Sequence, residues 1–215
     1  MIKVAPSILA ADVMHMADEV DRMIQAGCDW LHVDIMDGAF VPNLSYGPDL
    51  VAKLKQHTDT PLDVHLMINK PRRHVKAFAE AGASIITFHQ EAVKDLKRVI
   101  REIHKHKVKA GVSVKPATPV ETLGPFLHLI DMVLIMTVEP GFGGQSFMTA
   151  MVEKVRTLRK MGYKGLIQVD GGVNMQNLPM LLEAGIDVAV MGTALYKSED
   201  PKGDIEKIHG MVRPA

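Results

Sequence analysis

The sequence predicts an α/β protein, a single (β/α)8 TIM barrel with eight parallel strands, spanning residues 1–215 as one domain. Three observations carry that expectation. Short apolar runs, most rich in β-branched residues, alternate with longer amphipathic stretches from end to end. Three of the amphipathic stretches stop at an Ala-Gly pair, Ala26-Gly27, Ala81-Gly82 and Ala184-Gly185, each leading directly into the next apolar run. Eight units of roughly 25–30 residues suit a closed barrel better than a doubly wound sheet.

Taken in order, the strand-like runs are Lys3-Val4-Ala5, Trp30 to Ile35, Leu62 to Leu66, Ser84 to Phe88, Val108 to Ser113, Met132 to Met136, Leu166 to Asp170 and Val188 to Met191. Helical spacing recurs between them. Asp12 to Gln25 carries Val13, Met16, Val20 and Ile24; His74 to Ala81 ends at Gly82; Leu96, Val99, Ile100 and Ile103 form an apolar stripe. Met151, Val155 and Leu158 precede Gly162, and Leu178, Leu181 and Leu182 precede Gly185. The stretch from Asp204 to Val212 is expected to supply the eighth helix. No linker, low-complexity segment or second domain interrupts the alternation.

Composition narrows the function. Lys plus Arg (25) balances Asp plus Glu (25), which argues against nucleic acid or an anionic membrane as partner, though not against a small anion site. The one cysteine, Cys28, cannot form an internal disulfide and reads as a small structural hydrophobe. Pro6 and Asp12 break the N-terminal run before a signal-like core develops, and no segment reaches the roughly 18–20 apolar residues of a membrane span. A cytoplasmic protein is the expectation.

In such a barrel, sites form at the carboxyl ends of strands, and alternate strand residues point inward. His32 and Asp34 therefore share the inner face of the second strand, with Met36 beyond them. His65 and Met67 share that face of the third, and Asp170 ends the seventh just before Gly171-Gly172. His32, Asp34, His65 and Asp170 make a divalent-metal set: imidazole nitrogens and carboxylate oxygens suit Zn²⁺, Fe²⁺, Mn²⁺ or Co²⁺. Buried charges need partners, and a shared ion explains four polar groups converging on one spot. Asp63 falls deeper on the same face, either as a support for a metal ligand or as a satisfied structural carboxylate. Seven histidines, His15, His57, His74, His104, His106, His128 and His209, read as solvated; His89 follows the fourth strand with at most a rim role.

Three glycine-bearing loops follow strands six, seven and eight: Pro140-Gly141-Phe142-Gly143-Gly144-Gln145, Gly171-Gly172 and Gly192-Thr193. Glycine lets backbone N–H groups approach an anion, and a helix N-terminus beyond it adds a favourable dipole. A phosphate at these loops is a recurring barrel arrangement that needs no lysine. The loop at 140–145 is long enough to close over a substrate.

Several segments closely resemble the ribulose-phosphate 3-epimerase family. They are Pro6-Ser7-Ile8-Leu9 with Ala11-Asp12, His32-Val33-Asp34-Ile35-Met36-Asp37-Gly38-Ala39-Phe40-Val41-Pro42-Asn43 and His65-Leu66-Met67. Met136 to Gln145 and Val169-Asp170-Gly171-Gly172 continue the likeness in order over essentially the whole chain. The resemblance implies a metal-dependent barrel, with zinc or ferrous iron usual, that inverts carbon 3 of D-ribulose 5-phosphate to give D-xylulose 5-phosphate. It implies His32, Asp34, His65 and Asp170 as ligands, with Asp34 and Asp170 also as the catalytic proton-transfer pair. Ser7, His65, Met36, Met67 and Met136 would meet the sugar, and Gly141, Gly143, Gly144, Gly171, Gly172, Gly192 and Thr193 the phosphate. A homo-oligomer is implied too. Thr137 and Glu139 depart from the commoner serine and asparagine or aspartate, and Met191-Gly192-Thr193 from Ala-Gly-Ser; backbone N–H donation survives both changes.

The same motifs would serve a hexulose-phosphate 3-epimerase, for example one acting on D-allulose 6-phosphate. A phosphate-barrel lyase or decarboxylase would generally place a lysine near the metal carboxylate, which the His32-x-Asp34 and Asp170 pattern does not. A catalytically silent sugar-phosphate-binding barrel would not need the two aspartates.

Overall fold

Eight strands lie in one sheet in a computed structural model that describes residues 1–212. They are β1 (Lys3–Pro6), β2 (Leu31–Met36), β3 (Leu62–Met67), β4 (Ile85–His89), β5 (Lys109–Val114), β6 (Met132–Met136), β7 (Leu166–Asp170) and β8 (Val188–Met191). Their order is β1-β8-β7-β6-β5-β4-β3-β2, every neighbouring pair is parallel, and a parallel bridge between Ser7 and His32 joins the two ends. The result is a nearly closed barrel. Strand bounds agree with the sequence expectation to within one residue or so.

The near-continuous apolar runs follow from burial on both faces. Val33, Ile35, Val64, Leu66, Ile86 and Phe88 point outward into the main core beneath the helices. Ala5, Trp30, Ile85, Met132, Val188 and Val190 form a separate cluster inside the barrel. Between this apolar floor and the open carboxyl end the inner face turns polar: His32, Asp34, Asp63, His65, Thr87, His89, Ser113 and Gln168 are all buried. Gly111 belongs to that layer, since a Cβ there would fall 2.1 Å from the Thr87 hydroxyl.

Helices α1 (Met16–Gln25), α2 (Pro48–His57), α3 (Val75–Glu80), α4 (Leu96–Lys105), α5 (Val152–Lys160), α6 (Leu178–Ala184), α7 (Thr193–Tyr196) and α8 (Pro201–Gly210) alternate with the strands. In α4 the predicted stripe Leu96, Val99, Ile100 and Ile103 is buried, and Asp95 caps the helix by accepting the Arg98 N–H at 3.0 Å. The Ala-Gly stops work as expected: Gly27, Gly82 and Gly185 sit at φ 94°, 105° and 105°, a conformation that disfavours a side chain.

Two expected helices shift, and two further elements were not foreseen. α1 starts later than Asp12, whose carboxylate instead caps a 3-10 turn at Val13–His15. α2 is missing from the sequence reading because only Val51 and Leu54 along it are buried, too thin a stripe to stand out. Between β5 and β6 the crossover is a 3-10 segment, Val120–Leu129, with Pro125 inside it; proline removes a donor an α-helix would need. α8 begins at Pro201 because Asp200 accepts the Gly203 N–H, and it ends at Gly210 rather than Val212.

Candidate active site at the carboxyl end of the barrel

Strand register assembles the site. The β2–β3 register sets Asp34 beside His65 and His32 beside Asp63, and the β6–β7 register sets Met136 beside Asp170. One ligand atom each from His32, Asp34, His65 and Asp170 lies within 4.8 Å of the others. Donors about 2.0–2.2 Å from a zinc-like ion stand at most about 4.4 Å apart. Donors of a tetrahedral site stand closer still, about 3.3–3.6 Å apart, so the widest pair would draw in by about an ångström to share one ion; two imidazoles with two carboxylates are the right chemistry for a divalent cation.

The bonds within this set are specific. Asp34 Oδ1 faces His32 Nε2 at 3.2 Å and His65 Nδ1 at 3.0 Å, while its Oδ2 accepts the Ser7 hydroxyl at 2.7 Å. His32 Nδ1 faces Asp63 Oδ2 at 2.7 Å, and that oxygen also accepts Gln168 Nε2 at 2.5 Å. Asp63 thus supports His32, one of the two readings its sequence position left open. The Ser45 hydroxyl donates to the Asp34 carbonyl at 2.5 Å and accepts the Met36 N–H at 2.9 Å, fixing the end of β2.

Electrostatics separates the two carboxylates. Burial pushes Asp34 up, but the charges and hydrogen bonds of His32 and His65 outweigh it and hold Asp34 well below the usual carboxylate range. Burial, then the Asp34 charge, pushes Asp170 up to about 6. Burial pushes His32 down, yet Asp34 and Asp63 together hold it well above an ordinary histidine. Two carboxyl groups with opposing shifts in one site can hold a proton on one and not on the other.

A single cleft opens above this set. Ser7, Asp34, Met36, Met67, Met136 and Asp170 line its base. Gly141, Gly143, Gly144, Gly171, Gly172, Gly192 and Thr193 line its upper wall. His32 and His65 are absent from the lining; both are fully buried beneath Asp34. Met36, Met67 and Met136 are each at most 4% exposed. Nothing within 4 Å would meet a Cβ at Gly143 or Gly144, so their backbone borders open space. Gly172 (φ 65°) is different: a Cβ would fall 2.7 Å from the Gln145 carbonyl and 2.8 Å from the Phe147 nitrogen, so this glycine lets the loops after β6 and β7 touch. Thr137 donates its hydroxyl to the carbonyls of Asp170 and Gly171 at 2.8 and 2.6 Å, which ties the same two loops together. The 140–145 loop is braced by Gln145 Nε2 on the Glu139 and Phe142 carbonyls, and Asn43 Nδ2 donates to the Gly141 carbonyl at 2.9 Å.

The expected helix dipole at the phosphate loops is weak. α7, after Gly192, has four residues, and α6 starts at Leu178, well beyond Gly172. A one-turn helix sums few peptide dipoles, so the loop backbone N–H groups are the stronger anion donors available here. His89, read from the sequence as a rim residue at most, is instead fully buried, with Nε2 2.9 Å from His65 Nε2. Burial pushes it down to about 4, a shift partly offset by Glu91. The signal was present: His89 is in phase with the inward Ile85 and Thr87. Gln168 was missed for the opposite reason, since a lone amide inside an apolar strand carries no motif. Of the outer histidines, His15, His57 and His104 are exposed as expected and His209 is half-buried, and each faces a carboxylate at 2.8 to 2.9 Å.

A parallel barrel with a His2Asp2 set that could hold a divalent ion, beneath a glycine-walled cleft, is the architecture of a barrel enzyme with its site at the carboxyl end of the strands. Comparison with known proteins makes this specific. The model of the Ribulose-phosphate 3 epimerase family matches residues 3–196. The chain is 46% identical to the ribulose-phosphate 3-epimerase of Bacillus subtilis, over 98% of this chain and 99% of that one. It is 42% identical to that of Schizosaccharomyces pombe, over 99% and 95%. Among solved structures, a tryptophan synthase alpha-subunit from Pyrococcus furiosus superposes with a TM-score of 0.72 at 16% identity, over 98% of this chain and all of that one (100%), a likeness of fold alone. The chain belongs to the ribulose-phosphate 3-epimerase family.

Proposed function

We propose that this chain, acting as one domain, interconverts D-ribulose 5-phosphate and D-xylulose 5-phosphate by moving a proton at carbon 3. The observation that carries this is the placement of Asp34 and Asp170. They come from β2 and β7, which β1 and β8 separate around the barrel, and both border the base of the cleft. Inversion needs one group to remove a proton from one face and another to return one to the opposite face. In the metal-free site Asp34 is held low and Asp170 is raised, so the two carboxyl groups can differ in protonation; one serves as base and the other as acid, with roles exchanged in the reverse direction.

A divalent ion held by His32, Asp34, His65 and Asp170, zinc or ferrous iron by family resemblance, would supply Lewis-acid stabilisation of the negative charge that develops on the substrate oxygens. Ser7 orients Asp34 through its 2.7 Å bond. Met36, Met67 and Met136 offer no proton and exclude water, so the planar intermediate exchanges with the aspartates alone. Backbone N–H groups around Gly143, Gly144, Gly172, Gly192 and Thr193 hold the phosphate.

No helix among the described residues is long and apolar enough to cross a membrane. A cytoplasmic homo-oligomer is the accompanying proposal. The unpaired Cys28 and the exposed Val13, Met14 and Leu44 support it, the last three as apolar surface for a subunit contact. Proton NMR of D-ribulose 5-phosphate in D₂O tests the activity. Deuterium should enter carbon 3 as xylulose 5-phosphate forms, stop on chelation and resume when metal is restored. Failure of the loaded protein on this sugar, with turnover of D-allulose 6-phosphate, would transfer the assignment to a hexulose phosphate.

A further inference from the structure

His89 ends β4 directly behind His65. The two rings stand 4.9 Å apart between centroids, tilted by 33°, with their Nε2 atoms 2.9 Å apart. Two ring nitrogens at that distance share one proton, one donating and the other accepting. His89 Nδ1 is buried and makes no hydrogen bond, but it faces Glu91 Oε2 at 3.5 Å, an ion-pair distance. Glu91 is held from behind. Its Oε1 accepts the Lys115 N–H at 2.8 Å and the Thr118 hydroxyl. That loop is pinned in turn by Lys154, whose ammonium donates to the carbonyls of Lys115, Pro116 and Thr118 at 2.9, 2.7 and 2.7 Å. A fixed carboxylate is therefore aimed at a buried imidazole that touches His65.

We infer that His89 is a positioning residue for His65 and that Glu91 sets its tautomer. This rests on the reading of His32, Asp34, His65 and Asp170 as a metal set. To offer Nδ1 beside Asp34, His65 must carry its proton on Nε2 and donate it to His89 Nε2. His89 then carries its own proton on Nδ1, the nitrogen that faces Glu91. The reverse arrangement places the His65 proton on Nδ1, where the ion belongs, and turns a lone pair toward a carboxylate. With an ion bound by His65 Nδ1 and Asp34 Oδ1, which stand 3.0 Å apart, only the first satisfies every group. His32 has the same construction in shorter form, with Nδ1 against Asp63 Oδ2 and Nε2 left for the site. The relay behind His65 is one residue longer, and it ties a ligand on β3 to the loop after β5. A partner on the far nitrogen of a ligating imidazole orients the ring and raises its basicity; losing one typically costs about 10–100-fold in metal affinity.

The test measures Zn²⁺ affinity of the full chain by competition with a chromophoric chelator, for the wild type, His89→Leu, His89→Gln and Glu91→Gln. Circular dichroism of the metal-free proteins checks that each is folded. His89→Leu should bind about 10–100-fold more weakly. His89→Gln, whose amide oxygen can accept from His65 Nε2, should recover most of that loss, and Glu91→Gln should fall between His89→Leu and the wild type. Imidazole ¹⁵N NMR of the zinc-loaded wild type should show His65 protonated on Nε2 and His89 on Nδ1, a readout that stands even where a variant does not fold. Wild-type affinity in His89→Leu, or the opposite tautomers, would overturn the inference while leaving the metal set intact. A wild type that binds no Zn²⁺ would instead remove the metal reading and this inference with it.

Discussion

Replacing Gly172 with alanine isolates the contact between the loops after β6 and β7. The backbone there is left-handed at φ 65°, a conformation that costs an L-residue roughly 1–2 kcal/mol. The added methyl would also stand 2.7 Å from the Gln145 carbonyl, 2.8 Å from the Phe147 nitrogen and 3.1 Å from its Cα. All three are backbone atoms and cannot rotate away, so the 140–147 segment must move and carry Gly143 and Gly144 with it. Strain of about 1–2 kcal/mol lowers the melting temperature by roughly 2–8 °C in a domain of this size. If the segment binds the phosphate as proposed, remote from the reacting carbon, the loss should appear mainly in KM, about tenfold for each 1.4 kcal/mol of lost binding. Gly143→Ala is the matched control: its methyl meets nothing within 4 Å, and it should leave the melting temperature unchanged. Steady-state kinetics and thermal unfolding of both variants read these effects. A Gly172→Ala protein with wild-type KM and melting temperature would refute the idea that this glycine holds the phosphate wall in place.

Two further outcomes follow from the buried network. Asp63→Leu removes the acceptor of both His32 Nδ1 and Gln168 Nε2; two stranded buried donors, one on a ring held charged, cost roughly 2–6 kcal/mol, which urea unfolding of the metal-free protein should register. pH dependence should differ between the metal-free and metal-loaded protein. Asp170 and His32 both have folded values raised above their unfolded ones, so each contributes stability at low pH that is lost as pH rises through the folded value, about 6 for Asp170. Asp34 is held low, and its contribution disappears only in acid, as pH falls through its depressed value. Metal binding needs bare ligands and so competes with those protons. The gain in melting temperature on adding Zn²⁺ should therefore be small near about pH 5.5 and grow toward about pH 8, and a gain that shrinks over that range by calorimetry would contradict the assignment of these groups as ligands.

What the sequence made legible and what it hid have distinct physical causes. Strand period and strand-end position sufficed to bring His32, Asp34, His65 and Asp170 together, because parallel register converts position along a strand into height in the barrel. The Ala-Gly stops were readable because a left-handed residue after a helix has one cheap occupant. α2 and the 3-10 crossover at Val120–Leu129 were not, since neither carries a dense apolar stripe. His89 was legible in its inward phase but not in its partner. Its role depends on a ring nitrogen meeting that of a residue 24 positions away, on a neighbouring strand, and no local pattern encodes that meeting. Gln168 and Asp63, 105 positions apart, show the same limit.

The charge of the cleft connects the neutral composition to the chemistry. Among the described residues, the cleft lining contains no lysine or arginine, and its ionisable members are Asp34 and Asp170. A phosphate dianion entering it would meet like charge unless something positive lay beneath. The groups that could offset that charge are His32, held well above its usual range by Asp34 and Asp63 in the metal-free site, or, in its place, a divalent ion that the four-residue set could hold. Backbone N–H groups on the glycine loops add partial charges that neither titrate nor need desolvation of a side chain. Under the proposed reading, an ion in the four-residue set would lie beneath the sugar and dispersed backbone dipoles would meet the phosphate. On the proposed mechanism a lysine is unnecessary at either end: at the floor its proton would compete with transfer by Asp34 and Asp170, and at the wall the backbone of Gly143 and Gly144 borders open space where an anion could sit.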